Sequence, residues 1–140
     1  MRLLARRALS VNELTAKLEA LGYGVEVCDD AVAWLLDLGY LNDEALARDR
    51  AEALSEKGYG FYRIQFDLRR RGLDPSLADQ VLAELPDAAE AIDDHIARMM
   101  AGRDAGDPQQ RRRTAAALSR RGFPSDDINA GMARFMMHDA

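Results

Sequence analysis

Leu68-Arg69-Arg70-Arg71-Gly72-Leu73 stands at the middle of the 140-residue chain, and its punctuation recurs fifty residues away on either side. The earlier copy is Leu18-Glu19-Ala20-Leu21-Gly22-Tyr23 and the later one Leu118-Ser119-Arg120-Arg121-Gly122-Phe123. Each places Leu four residues before Gly and an apolar residue just after it, the pattern of a helix that ends on a left-handed Gly with a hydrophobic contact beyond. Three copies define an internal repeat.

Downstream of each Gly the apolar positions also keep step. Six residues on lie Cys28, Ala78 and Ile128; ten on, Val32, Leu82 and Met132; thirteen on, Leu35, Leu85 and Phe135. These offsets trace one face of a helix. A third segment follows in the first two copies, where Leu46 and Ala47 correspond to Ile96 and Ala97, and the third copy reaches Ala140 before it. The expected fold is therefore all-α: tandem three-helix repeats in an elongated array, at residues 1–58, 59–106 and 107–140, with the third truncated. Neighbouring helices lie roughly 8–10 Å apart, so eight in a row would span several tens of Å.

Composition fits a folded soluble protein, with 48% hydrophobic and 31% charged residues. Cys28 is the only cysteine, which excludes an intrachain disulfide and suits a reducing cytoplasm. No apolar run reaches membrane-spanning length, and Met1-Arg2-Leu3-Leu4-Ala5-Arg6-Arg7 is too short and too charged for a signal sequence. The net charge of −5 conceals a gradient: Lys and Arg stand at 7 against 11 Asp and Glu over residues 1–57, 6 against 9 over 58–106, and 6 against 4 over 107–140. Only the last segment is basic.

Along the chain, Ser10 with Glu13 reads as a capping box for a helix carrying Leu14, Leu18 and Leu21. A second helix is expected over Val25 to Asp37, burying Cys28, Val32, Leu35 and Leu36, with Trp34 at its margin. Tyr40 and Leu41 then anchor a turn, and Asn42 caps a helix whose first turn holds Asp43 and Glu44. The aromatics Tyr59, Phe61, Tyr62 and Phe66 are read as packing between repeats rather than as a base-stacking platform. Asp74-Pro75, Asp87 with Glu90, Asp107-Pro108 and Pro124-Ser125 open the remaining helices. Ile92, Ile96, Met99 and Met100 form one core stripe.

No catalytic constellation emerges. There is no Gly-rich phosphate loop, and two histidines with one cysteine fall short of a zinc site. His95 follows Asp93 and Asp94, but consecutive helical residues point in different directions, so the triplet reads as a solvated face. The expectation is a binding protein, not an enzyme, with no cofactor, no metal, no small-molecule substrate and no membrane.

A helix-turn-helix reading fails on charge. Glu26, Asp29, Asp30 and Asp37 on one second helix, and Asp74, Asp79 and Glu84 on the next, would repel phosphates. Cations gather on the first helix of each unit, where Arg63, Arg70 and Arg71 correspond to Arg113, Arg120 and Arg121. Either they align as a stripe for an acidic protein face or a nucleic-acid backbone, or they complement helix dipoles and solubilise the surface. With Arg111 and Arg112 they make the basic third repeat the candidate for an alternative DNA-binding role.

Leu4-Ala5-Arg6-Arg7 with Ser10-x-x-Glu13-Leu14 and Lys17-Leu18, then Leu38-Gly39-Tyr40-Leu41-Asn42-Asp43-Glu44 with Ala47, then Arg63-Ile64-x-x-x-Leu68-x-x-x-Gly72, and finally Arg121-Gly122-Phe123, resemble successive signatures of the RecX regulators. The resemblance runs over nearly the whole chain. It implies an all-helical protein of tandem three-helix repeats that binds the RecA recombinase filament. It further implies damping of the filament's ATP hydrolysis, strand exchange and stimulation of repressor cleavage, in DNA repair and the SOS response. In that setting the acidic positions Asp43, Glu44, Asp49 and Glu52 are expected to face the recombinase's basic DNA-binding interior.

Overall fold

The computed structural model describes residues 9–139, so Leu4-Ala5-Arg6-Arg7 lies outside the described residues. Among these the protein is all-α, with eight helices and no strand: α1 Val11–Ala20, α2 Val25–Asp37, α3 Asp43–Glu56, α4 Phe61–Arg70, α5 Pro75–Glu84, α6 Ala89–Met100, α7 Pro108–Arg120 and α8 Ser125–Asp139.

The repeated punctuation is a repeated backbone device. In all three copies the residue after Gly donates its N–H to the carbonyl of the Leu four residues before Gly: Tyr23 to Leu18 at 3.2 Å, Leu73 to Leu68 at 3.3 Å and Phe123 to Leu118 at 3.3 Å. The Gly N–H bonds the next carbonyl, that of Glu19, Arg69 or Ser119. This is the Schellman arrangement. It needs a left-handed residue, supplied by Gly22, Gly72 and Gly122 at φ of 93°, 76° and 98°. Helix starts are equally explicit. Ser10 Oγ accepts from Glu13 N–H while Glu13 Oε1 accepts from Ser10 N–H, both at 3.0 Å, a box that stabilises a helix by about 1 kcal/mol. Asn42, Asp74 and Asp107 cap α3, α5 and α7 through side-chain oxygens at 3.1, 2.8 and 3.0 Å.

The chain divides into two compact units, one of residues up to Ala53 with Gln65–Glu84, the other of Leu54–Ile64 with the segment from Leu85 onward. In the first, Leu9, Leu14, Leu35 and Leu41 form a core with Val11, Leu18 and Val32 packed against it. Cys28 is buried there as expected, but Leu36 and Tyr40 are not: they are 47% and 62% exposed. Polar ties hold α1 in place. Ser10 Oγ donates to the Arg71 carbonyl at 2.7 Å, Asn12 donates to the Gly72 carbonyl, and Asp43 Oδ1 accepts from Val11 N–H at 2.9 Å.

In the second unit, Ile92, Ile96, Met100, Leu118, Phe123 and Ile128 are buried together, with Met132 and Phe135 against them. The backbone of residues 60–62 runs tightly along that of residues 121–122: Gly60 N–H donates to the Arg121 carbonyl at 2.8 Å and Tyr62 N–H to the Gly122 carbonyl at 2.9 Å. The approach excludes side chains. A Cβ at Gly60 would lie 2.5 Å from Phe123 N, and one at Gly122 would lie 2.4 Å from Arg63 N.

Candidate partner-binding surface

The acidic helix α3 does not present its carboxylates uniformly. Asp43 is half-buried on Val11, and Glu44 pairs with Arg48, whose guanidinium also binds Glu84 at 3.0 and 3.2 Å. Glu84 is held below the usual carboxylate range by that hydrogen bond. Asp49 and Glu52 are exposed. Arg50, on the same helix, binds Asp67 of α4 at 2.8 and 3.2 Å, a hydrogen bond that raises its pKa above the ordinary arginine value. Of these four positions Asp43 and Glu44 have partners within the fold, whereas Asp49 and Glu52 face solvent, as does Glu56 at the end of the helix.

The arginines separate in the same way. Arg71 is half-buried beside Glu13 at 3.4 Å, and its carbonyl receives Ser10. Arg121 reaches the Lys57 and Gly58 carbonyls at 3.4 Å and lies over the Tyr59 ring at 5.5 Å, with Arg63 over the same ring at 5.2 Å. Arg70 and Arg112 are exposed and Arg111 is half-buried. Arg113 and Arg120 line an open groove of about 550 Å³ together with Arg98, Arg103 and Gln110, over a floor that includes Met99. Four guanidiniums around one groove make it a strongly cationic concavity. Arg98 corresponds to Arg48 at the fifty-residue spacing, where the guanidinium is taken up by Glu44 and Glu84, and Arg103, in the turn after α6, has no arginine counterpart. The only local sign is Arg113 and Arg120 seven residues apart on one face of α7.

His95 departs from the solvated face read from the sequence. It is 9% exposed, its ring 6.1 Å from that of Phe123. Arg98 Nη2 lies 3.1 Å from Nδ1; a guanidinium can only donate, so Nδ1 accepts and the proton sits on Nε2, toward Gly58. Burial first, then the charges of Arg121 and Arg98, hold its pKa below the ordinary histidine value. Neutral at pH 7 and packed, His95 is structural. Among the described residues no three His, Cys, Asp or Glu side chains gather as a metal site, and no helix is long and apolar enough to cross a membrane. The aromatics Phe61, Tyr62 and Phe66 are 39%, 57% and 60% exposed rather than interior. Phe61 and Tyr62 stack edge to face at 5.4 Å.

An all-helical scaffold whose helices are closed by a recurring Schellman turn defines a class: helical-repeat proteins. Comparison with known proteins narrows it. A family model described as RecX, second three-helix domain, matches residues 42–82, which take in α3, α4 and most of α5. The regulatory protein RecX of Trichlorobacter lovleyi is 40% identical over 134 residues, covering 91% of this chain and 87% of the relative. That of Pseudomonas putida is 36% identical over 129 residues, covering 91% and 83%. The crystal structure of RecX from Lactobacillus salivarius superposes with a TM-score of 0.87 at 18% identity, over 97% of this chain and 91% of that one, and so shares the fold. The chain belongs to the RecX family of regulatory proteins.

Proposed function

We propose that this protein binds the RecA recombinase filament and mainly inhibits its ATPase, strand-exchange and coprotease activities, acting in the cytoplasm in DNA repair and SOS regulation. The observation that supports this reading is the 40% identity to a RecX regulatory protein across nine-tenths of the chain. The action is non-enzymatic: a ligand shifts an equilibrium only by binding one state better than another, so the inhibitor must prefer a filament state that hydrolyses and exchanges poorly. Three repeats, at 1–58, 59–106 and 107–140, would let one molecule lie in the filament groove and touch more than one subunit. On α3, Asp49 and Glu52 are among the exposed carboxylates available to a basic recombinase surface.

The test is fluorescence anisotropy of the protein labelled at its N-terminus, since Cys28 is only 1% exposed. It is titrated in parallel with RecA filament on single-stranded DNA and with bare DNA. Tight binding to the filament alone, with falling ATP hydrolysis, is expected; equal binding to both would overturn the reading. Charge reversal at Asp49 and Glu52 that left inhibition intact would remove α3 from the interface.

The groove of Arg98, Arg103, Arg113 and Arg120 favours a second reading, a DNA-binding protein working through its basic third repeat. In that case affinity for bare DNA falls steeply with salt. Neutralising Arg113 and Arg120 would flatten the slope by about one for each phosphate left without its arginine.

A further inference from the structure

Twelve large hydrophobic side chains are exposed among the described residues, and eight of them fall between Leu21 and Tyr40, on and around α2. Scattered singly, such residues are ordinary, whereas an exposed apolar strip on one face is characteristic of interaction sites. Part of it is ordered along the helix. Val27, Ala31, Trp34 and Leu38 recur at i, i+4, i+7 and i+11 and so form one ridge, of which Val27, Trp34 and Leu38 are 52%, 56% and 51% exposed. Each residue turns the helix by about 100°, which locates the ridge against its neighbours. The positions just after Val27, Ala31 and Trp34 are Cys28, Val32 and Leu35, buried or partly buried in the core. The positions just before Val27, Ala31 and Leu38 are Glu26, Asp30 and Asp37, all exposed. The ridge therefore runs between the core and an acidic line parallel to it.

That pairing of stripes selects an occupant. Carboxylates along the ridge repel the phosphates of nucleic acid and of anionic lipid. A second copy would bring the same helix, which holds four acidic residues and no Lys or Arg to pair with them. A protein face with an apolar strip flanked on one side by Lys or Arg satisfies both stripes at once. We infer that the Val27–Trp34–Leu38 ridge of α2, with its acidic border, is a docking surface for a basic-edged apolar face of the protein partner. The inference rests on the filament reading above and supplies a docking surface for it, separate from α3 and from the arginine groove.

Trp34 is the only tryptophan in the chain, so the ridge carries its own reporter. The experiment uses the full chain labelled with 5-fluorotryptophan, observed by fluorine NMR alone, with bare single-stranded DNA and with RecA filament, alongside anisotropy of the wild type, Trp34→Ala/Leu38→Ala and Asp30→Lys/Asp37→Lys. Both variants alter exposed side chains, and unchanged melting curves would show that they fold. The expected result is a shifted or broadened Trp34 resonance with filament only. Filament affinity should fall at least about tenfold for the apolar double variant, and by a smaller factor, with altered salt dependence, for the charge-reversed one. Wild-type binding that both variants retain would overturn the ridge and leave the filament reading standing. No wild-type binding would overturn both. A Trp34 signal that moves with protein concentration alone would assign the ridge to self-association and overturn the proposal.

Discussion

Gly22 and Gly122 close helices with the same two hydrogen bonds and nearly the same left-handed φ, yet they live in different surroundings. A Cβ at Gly22 would meet nothing within 4 Å, and the flanking Leu21 and Tyr23 are 68% and 51% exposed. Gly122 is itself buried against the Arg63 backbone, and its follower Phe123 is 3% exposed. Gly72 stands between them, with Leu73 buried and the Asn12 side chain 2.9 Å from where a Cβ would be. The comparison separates two demands that one residue type can answer. The first copy needs glycine for its backbone angle alone, the third needs it for angle and space.

Alanine at the three positions should sharpen that difference, measured by denaturant unfolding. Gly122→Ala must displace backbone as well as adopt an unfavourable φ, so its loss should exceed about 4 kcal/mol, a large share of an ordinary domain's stability. Gly72→Ala meets the side chain of an exposed asparagine, which can yield at the expense of its hydrogen bond, and a loss of about 2–3 kcal/mol is expected. Gly22→Ala carries only the left-handed penalty of about 1–2 kcal/mol. Equal losses at all three would mean that the close approach at residues 60–62 contributes nothing.

The smallest effect is one of pH. Because His95 titrates below its unfolded value near 6.5, the unfolded chain takes up the proton first as pH falls. The histidine's contribution is complete above that value and declines as pH drops through 6.5 toward the folded pKa. Melting temperature of the wild type should therefore decrease between pH 7.5 and 5.5, and His95→Gln should flatten the slope. A wild-type curve flat over that range would show that His95 is not held neutral.

Helix ends and buried stripes are legible in the sequence because they are local. Ser10 with Glu13, Asn42, and the Leu-to-Gly spacing each state their hydrogen bonds within a few residues. What covers a flank is not local. Leu36 and Tyr40 look like interior residues by type and lie outside; His95 looks like a solvated neighbour of two aspartates and lies inside, because Phe123 and Gly58 close over it from far along the chain. The candidate binding residues suffer most from this. Arg71 and Arg121 resemble Arg70 and Arg120 in sequence, yet both reach into structure, through Glu13 and the Lys57 and Gly58 carbonyls, while Arg120 lines the groove. The ridge on α2 is hidden for a related reason: its residues are as apolar as those one position further on, and only packing shows which line is covered.

Cys28 lies 1% exposed on the inner side of that same helix, its Sγ 3.8 Å from the Tyr23 carbonyl. A lone buried thiol is a chemical clock. An alkylating reagent modifies it only during excursions that lift α2 from the core, so the modification rate under native conditions measures how often that happens. A partner clasping the outer face of α2 would slow the clock without ever touching the sulfur.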